Sequence, residues 1–290
     1  MCTLIAGVDI LGSRTLVLGA NRDESPQRAS AGPGVLRERP RVVGGRDLVA
    51  GGTWLAIREA RVVTALMNRR PTAGVATAGV ASAGAAVGAA GAIPRSRGLL
   101  CLDAAALGPS PDAPHTIDPG TGERHAARLQ DAIARITRDA YAACTLVGLS
   151  VDEPSWALFV EAGVPPRVAM LAPGWHVLTH ADVDDVREPR TAYLRGRLEG
   201  FAPRDAEEAL LGIADLLRTH VDPDRGIPGV CLHGERFPTV SSSLVAIGDL
   251  GAPRYRHSAG PPCTTPYADV SGLLGDGGSG GSGEPGVAGR

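Results

Sequence analysis

The sequence predicts an α+β fold in which antiparallel strands outnumber helices. Pairs of short, β-branched apolar runs joined by turn residues lie within the first 70 residues and are typical of β-hairpins. Segments with an apolar residue every three or four positions follow later in the chain and predict helices. The 290 residues are enough for one large domain or for two ordinary ones.

Two hairpins are predicted near the N-terminus. Residues 2–8 and 14–20 form the first, with turn chemistry at residues 9–13, and residues 50–57 and 61–70 form the second. Because a hairpin folds the chain back on itself, the end of its second strand lies beside the start of its first. The polar residues that follow the second strand are therefore expected to approach the N-terminus.

The rest of the chain is predicted to contain further strands, three helices and two flexible segments. Helices are predicted at residues 122–142, 191–198 and 204–219. Strands are predicted at residues 144–149, 156–160, 167–171, 175–179, 229–233, 240–247 and 254–257. Residues 71–93, almost entirely Ala, Gly, Val and Thr, are interpreted as a flexible insertion. Residues 271–290 are predicted to be a disordered Gly/Ser-rich tail, which leaves residues 1–270 as the folded domain.

Composition and charge exclude several classes of function. The formal net charge is −2, which gives no electrostatic basis for binding nucleic acid or an anionic membrane. All 29 basic residues are arginine, so a Schiff-base lysine, a P-loop lysine and a serine–lysine dyad are excluded. No apolar run approaches the roughly 20 residues of a membrane span, and no basic and apolar leader precedes the second residue. We therefore expect a cytoplasmic protein without a membrane span.

The cysteines are scattered and odd in number, with no CxxC pair. They are Cys2, Cys101, Cys144, Cys231 and Cys263. This distribution predicts free thiols in a reducing compartment rather than a disulfide framework or a zinc site. His176 and His180 are four residues apart, but on a predicted strand that spacing separates them by about 13 Å, so they are rejected as a zinc pair. No metal is expected.

Cys2 is the leading candidate for a catalytic residue. Met1 is normally removed when the next side chain is small, and Cys2 would then carry a thiol and a free α-amine on one carbon. A thiol with a pKa near ~8.5 is mostly protonated at neutral pH, whereas an α-amine with a pKa of about 7.7 to 8.0 can accept its proton. The pair is typical of N-terminal nucleophiles. The alternative is that Cys2 is a small apolar residue at the start of a strand.

A polar run, Asn21-Arg22-Asp23-Glu24, ends the second predicted strand. Strand alternation directs Asn21 and Asp23 to one face and Arg22 and Glu24 to the other. Beside an N-terminal cysteine, the arginine or the aspartate could hold the α-amine, lower the thiol pKa or orient a carboxylate-bearing substrate. The alternative is a solvated strand exit with an internal ion pair.

Asn68 also places a polar side chain at the end of an apolar strand. Its amide could donate a hydrogen bond to an oxyanion. The alternative is that it caps the following turn.

Six short motifs occur in order along the chain. They are Met1-Cys2-Thr3, Ala20-Asn21-Arg22-Asp23-Glu24, Gly51-Gly52-Thr53-Trp54, Leu66-Met67-Asn68-Arg69-Arg70, Ser96-Arg97-Gly98 and Thr239-Val240-Ser241-Ser242-Ser243-Leu244-Val245. In this order they resemble the NRDE family, whose eukaryotic namesake is the transport and Golgi organisation protein 2, over roughly residues 1–270. The resemblance implies an N-terminal nucleophile hydrolase fold, a four-layer αββα sandwich of two antiparallel sheets between helical layers.

The resemblance also implies an amidohydrolase. The family is distantly similar to the choloylglycine hydrolases and penicillin acylases, whose N-terminal cysteine nucleophile Cys2 would match. The polar run, Asn21 to Asp23, and Asn68 would then assist catalysis. No cofactor is required for such hydrolysis, and the expected partner is a small acyl or amide substrate.

Two departures and one alternative function accompany the resemblance. Where the acylases have a second oxyanion asparagine, this chain has His180, which can also donate a hydrogen bond. The family's usual Thr-Arg-Ser-Ser is Thr239-Val240-Ser241-Ser242 here, without the arginine. Family members have been linked to haem trafficking and to acyl-CoA or lipid metabolism, so the alternative is a non-catalytic protein that binds haem or another hydrophobic ligand such as an acyl lipid. Cys2, His176 or His180 would be the axial ligand of a haem.

Overall fold

The computed structural model describes residues 2–69, 95–106, 129, 133–134, 141–161 and 164–275. The predicted insertion at residues 71–93, most of the predicted helix at residues 122–142, and the predicted tail from residue 276 onward lie outside the described residues. The described residues form two antiparallel sheets, one of six strands and one of seven.

The six-stranded sheet contains the two strands next to the first two sequence motifs, the one with Cys2 and the one with the polar run. Its strands, in spatial order, are β10 (Gly174–Leu178), β1 (Thr3–Val8), β2 (Thr15–Asp23), β11 (Thr239–Gly248), β12 (Arg254–Ser258) and β13 (Ala268–Asp269). The first predicted hairpin is confirmed as β1 and β2, whose register opposes Thr3 to Asn21. All nine residues of β2 are buried, so this strand carries its polar end into the interior.

The seven-stranded sheet is a meander, since each strand pairs with the next in sequence. Its strands are β3 (Ser30–Arg37), β4 (Val42–Asp47), β5 (Leu55–Arg58), β6 (Val62–Asn68), β7 (Cys144–Ser150), β8 (Ser155–Glu161) and β9 (Val164–Leu171). The second predicted hairpin is confirmed as β5 and β6. The three strands predicted from residue 144 to residue 171 are confirmed as β7, β8 and β9.

Helices cover the outer face of each sheet. α1 (Arg97–Ala106) packs on the seven-stranded sheet, and α2 (Pro189–Leu198) and α3 (Ala206–Leu217) pack on the six-stranded sheet. The four-layer αββα arrangement is therefore confirmed, as are the two predicted helices at residues 191–198 and 204–219. Among the described residues, we find no helix with the length and apolar character needed to cross a bilayer.

A large apolar cluster fills the space between the two sheets. Leu4 and Leu18 project into it from the six-stranded sheet, and Ile57 and Val147 project into it from the other. All four side chains are fully buried, and burial of one such side chain contributes about 1.5–3 kcal/mol. This packing fixes the two sheets against each other and thereby fixes the relative positions of their strand ends.

The predicted strand at residues 229–233 is wrong, because the segment is an irregular loop. The backbone N–H groups of Val230 and Cys231 both donate to the carbonyl oxygen of Thr219 at 2.9 Å, which is not a strand ladder. Val230, within this segment, is buried against the helix-covered face of the six-stranded sheet and is fully inaccessible to solvent.

Several elements lack the patterns that predict them from sequence. β3 contains two glycines and a proline and is largely exposed, so it has no apolar alternation. β4 and α1 are also absent from the sequence-based prediction. Ser271–Leu274 form a 3₁₀-helix that places Leu274 in the core between the sheets, so the prediction that disorder begins at residue 271 is wrong.

A close backbone contact explains why two of the motifs contain glycine. A Cβ atom on Gly52 would lie 2.2 Å from the backbone carbonyl carbon of Gly98. The N–H of Thr53 donates to the carbonyl oxygen of Gly98 at 3.0 Å. The start of α1 therefore lies directly on the segment that leads into β5, at a distance that requires glycine.

Gly52→Ala is expected to lower the free energy of unfolding by about 3 kcal/mol, because the clashing atoms belong to the backbone and cannot rotate away. Gly196→Ala, on α2, is the matched control. A Cβ atom there meets nothing within 4 Å, and helix propensity predicts a gain of up to about 1 kcal/mol. Urea unfolding of both variants tests the prediction, which fails if Gly52→Ala is as stable as the unaltered protein.

Candidate active site

Cys2 lies at the edge of the core between the sheets, directly before β1. Because Thr3 opposes Asn21, the next step in the register places Cys2 beside Arg22 at the end of β2. Cys2 is half-buried and packs against the apolar cluster. The backbone of Asp23 partly opposes the rise in the pKa of the Cys2 thiol that burial causes. The predicted approach of the polar run to Cys2 is therefore confirmed.

The side chains of the run lie on opposite faces of β2, as strand alternation predicts. Arg22 is buried and faces the second sheet, where its Cζ lies 4.2 Å from the ring centroid of Trp54. A contact of this kind contributes about 0.5–2 kcal/mol. Asn21 and Asp23 face the helical layer. Only Arg22 therefore shares the face on which the thiol packs.

The Asn21 side chain bonds β2 to the helical layer and points away from the Cys2 thiol. Its Nδ2 donates to the carbonyl oxygens of Leu217 at 2.8 Å and Val230 at 3.1 Å. Both amide hydrogens are thus used, one on the end of α3 and one on the 229–233 loop. The structure does not bring this amide to Cys2.

Asp23 carries a buried carboxylate. Its Oδ1 accepts a hydrogen bond from the Thr239 hydroxyl at 2.7 Å, and its Oδ2 lies 3.6 Å from Nη1 of Arg190. Burial raises the pKa of Asp23 to about 6, and these two contacts oppose only part of that rise. Burial also raises the pKa of the Cys2 thiol, and the negative charge of Asp23 raises it further. The thiol therefore needs a base to become a thiolate at neutral pH.

Arg190 is a site residue that the sequence analysis does not predict. It is buried at the start of α2, and its Nη1 donates to the Thr3 hydroxyl at 2.7 Å. Nothing in the sequence distinguishes it from the other arginines. Its importance arises only from the docking of α2 on the end of β1.

The Asn68 side chain does not reach Cys2. The preceding residue, Met67, projects into the core between the sheets, whereas Leu66 packs in the α1 layer. Alternation therefore places the Asn68 side chain on the α1 face with Leu66. An oxyanion role for this amide is not supported by its position.

The backbone N–H of Asn68 has a different orientation. Arg69 donates its N–H to the carbonyl oxygen of Ala143, so Asn68 and Cys144 form a non-hydrogen-bonded pair. The Asn68 N–H consequently points away from β7, toward the side on which Trp54 leads into β5. The Arg22 guanidinium stacks on Trp54, so it lies on this same side of β6.

Arg69 makes a buried contact between the two sheets that the sequence analysis does not predict. Its buried guanidinium donates through Nη2 to Glu161 at 2.9 Å and Asp182 at 2.6 Å, and through Nη1 to the carbonyl oxygen of Ala181 at 3.2 Å. It therefore links the end of β6 in one sheet to the segment that follows His180 in the other.

His180 lies beyond the end of β10, on the far side of β1 from the polar run. The last pair in the β1–β10 register is Leu4 with Leu178, where β10 ends, and residues 179 and 180 form a bend. His180 therefore lies outside the β1–β10 ladder, and its role at Cys2 stays a prediction.

His176, the third candidate for haem ligation, uses both ring nitrogens in hydrogen bonds. Nδ1 contacts Asp184 at 2.8 Å and Nε2 contacts the carbonyl oxygen of Ala172 at 2.7 Å. Haem ligation by His176 would require one of these two hydrogen bonds to break.

Comparison with known proteins identifies the segment that carries most of these residues. Residues 1–103 match the family model for Transport and Golgi organisation 2. The resemblance seen in the motifs is confirmed over this segment, which contains Cys2, Arg22 and Asp23, whereas Arg190 and His180 lie beyond it. No curated protein sequence matches the chain.

Three solved structures are similar to the chain at low sequence identity. A penicillin V acylase from Agrobacterium tumefaciens is 9% identical, with 89% of this chain and 83% of that chain covered and a TM-score of 0.49. A mutant conjugated bile acid hydrolase from Clostridium perfringens is 11% identical, with 95% of each chain covered and a TM-score of 0.45. A Caenorhabditis elegans N-acylethanolamine-hydrolyzing acid amidase orthologue is 14% identical, with 84% and 92% covered and a TM-score of 0.47.

Proposed function

We propose that this protein is a cysteine amidohydrolase of the N-terminal nucleophile type, acting on a non-peptide amide or a related acyl compound. The observation that carries the proposal is the position of the Cys2 sulfur. It is half-buried at the edge of the core between the sheets, and the strand register places it beside Arg22 at the end of β2. The Arg22 guanidinium lies on the same face of the six-stranded sheet and stacks on Trp54.

Acylation begins once removal of Met1 exposes the α-amine of Cys2. The amine takes the thiol proton, and the sulfur attacks the carbonyl carbon, whose π electrons move to oxygen. Collapse of the tetrahedral intermediate breaks the C–N bond, and the leaving amine takes the proton from the α-ammonium group. Water then attacks the thioester with the α-amine as base, which releases the carboxylic acid and restores the thiol.

Two groups are proposed to stabilise the oxyanion. The first is the Asn68 backbone N–H, which points away from β7 toward the Trp54 side of β6. The second is His180, which follows β10, the neighbour of β1 in the sheet. Loss of one such donor commonly reduces kcat by about 10²–10³-fold. The donor from Asn68 is its backbone rather than its side chain, so substitution of this residue would leave the N–H in place.

Arg22 and Asp23 are proposed to order the site. The Asp23 carboxylate would hold the α-ammonium group, because Asp23 directly follows the residue that the register places beside Cys2. The Arg22 charge favours the thiolate and is available to a carboxylate-bearing substrate, while its contact with Trp54 keeps it in place.

Intact-mass measurement with activated acyl donors tests this proposal. We expect a mature protein that lacks Met1, one acyl adduct per chain, and loss of the adduct in Cys2→Ala. Peptide mapping should place the adduct on residue 2. Cys263, the other half-buried cysteine, serves as an internal control and should stay unmodified.

Two results would contradict the proposal. Retention of Met1 would leave Cys2 without its α-amine and thus without the proposed base. An adduct that persists unchanged in Cys2→Ala would show that another group is acylated.

A further inference from the structure

Four metal-ligating side chains meet on the helix-covered side of the six-stranded sheet. They are His220, Cys231, His233 and Cys263, whose ligand atoms all lie within 4.8 Å of one another. The two sulfur atoms are 3.5 Å apart, and the two histidine Nε2 atoms are 3.2 Å apart. The Nε2 of His233 lies 3.3 Å from the sulfur of Cys263 and 3.9 Å from that of Cys231.

Four of the six separations between these ligand atoms match the edges of a zinc tetrahedron, and the two that join His220 to the sulfur atoms lie within 4.8 Å. With Zn–S distances of about 2.3 Å and Zn–N distances of about 2.0–2.1 Å, the expected sulfur–sulfur edge is about 3.8 Å and the nitrogen–nitrogen edge about 3.3 Å. The expected sulfur–nitrogen edge is about 3.6 Å. Each of the four measured separations lies within about 0.3 Å of its expected edge.

The backbone around the cluster is held in place by contacts outside it. The N–H of Cys231 donates to the carbonyl oxygen of Thr219, and the preceding Val230 carbonyl accepts from Asn21. Arg218, at the end of α3, donates through Nε to the carbonyl oxygen of Pro262 at 3.0 Å. These contacts position the two loops that carry the cysteines before any metal binds.

We propose that His220, Cys231, His233 and Cys263 form a structural zinc site. Zn²⁺ would displace one proton from each thiol, and two thiolates with two neutral imidazoles would complete a neutral, four-coordinate centre. Four protein ligands leave no open position for substrate, which assigns the metal a structural role. The metal would join the 229–233 loop, on which Asn21 of the site strand depends, to the loop that follows β12.

Metal analysis of untagged protein, purified under reducing conditions in medium containing zinc, tests the proposal. We expect one zinc per chain, a roughly 100-fold or greater loss of zinc affinity in Cys263→Ser and in His233→Ala, and full occupancy in Cys2→Ala. The last variant separates this site from the proposed nucleophile, because zinc would be retained even where acylation is lost.

Cobalt substitution covers the case in which a ligand variant fails to fold. The unaltered protein, stripped with a chelator and reloaded with Co²⁺, should show the intense visible bands of tetrahedral cobalt and a thiolate charge-transfer band. Chelation should also lower the melting temperature, since zinc binds only the folded state. A zinc content far below one per chain, an octahedral cobalt spectrum, full zinc retention in Cys263→Ser, or a Cys231–Cys263 disulfide in place of the metal would overturn the proposal.

Discussion

Cys2→Ala is expected to lower the rate of amide hydrolysis by at least about 10⁴-fold, because it removes the atom that forms the acyl intermediate. One additional residue before Cys2 provides the matched comparison. That variant keeps the thiol and the surrounding strand ends but moves the free α-amine away from it. Since general-base catalysis contributes about 10²–10⁴-fold, the extended protein is expected to be slower by a factor in that range.

Steady-state kinetics with a hydrolysable acyl amide would measure both effects, and melting temperatures would show whether the fold is retained. The extended variant is the more informative of the two. Full activity in that protein would exclude the α-amine as the base, even if Cys2→Ala were inactive.

Asp23→Asn is expected to change stability and activity in opposite directions. Burial raises the pKa of Asp23 to about 6, so the folded protein binds this proton more tightly than the unfolded chain. Binding of this proton stabilises the folded state fully at low pH. The stabilisation is lost as pH rises toward about 6 and is absent above that value. The shift corresponds to about 3 kcal/mol. An asparagine, which stays neutral, should therefore stabilise the protein by up to about 3 kcal/mol near neutral pH.

The same substitution removes the carboxylate proposed to hold the α-ammonium group, and we expect hydrolysis to fall by about 10²-fold or more. Urea unfolding at about pH 4 and about pH 8 should show the stability difference only at the higher value. Asp47→Asn is the matched control, because Asp47 is similarly buried but bonds Arg28 at 2.6 Å. That variant should lose about 1–3 kcal/mol. An Asp23→Asn protein less stable than the unaltered one at about pH 8 would contradict the prediction.

The sequence alone determined the parts of the site that depend on local periodicity. The first hairpin follows from two β-branched runs with a turn between them, and its geometry brings the end of β2 to Cys2. Alternation with a period of two then separates Arg22 from Asn21 and Asp23. The six motifs support the resemblance to the NRDE family, and that resemblance predicts two sheets between helical layers.

Other features were decided by the tertiary structure, because they depend on contacts between distant segments. Asn68 faces α1, and the packing of its neighbours decides this orientation. Arg190 reaches Thr3 across 187 positions of the chain, and Arg69 reaches Asp182 across 113. No local pattern encodes the docking that makes these contacts.

The four-residue cluster shows the same division between sequence and structure most clearly. Scattered cysteines without a CxxC spacing predict no metal site, and that prediction uses only distances along the chain. Cys231 and Cys263 are 32 residues apart, yet the return of the chain through β11 and β12 brings their sulfur atoms to 3.5 Å. The sequence supplies the four ligand residues, whereas the packing of two loops against α3 and β2 sets the distances between their ligand atoms.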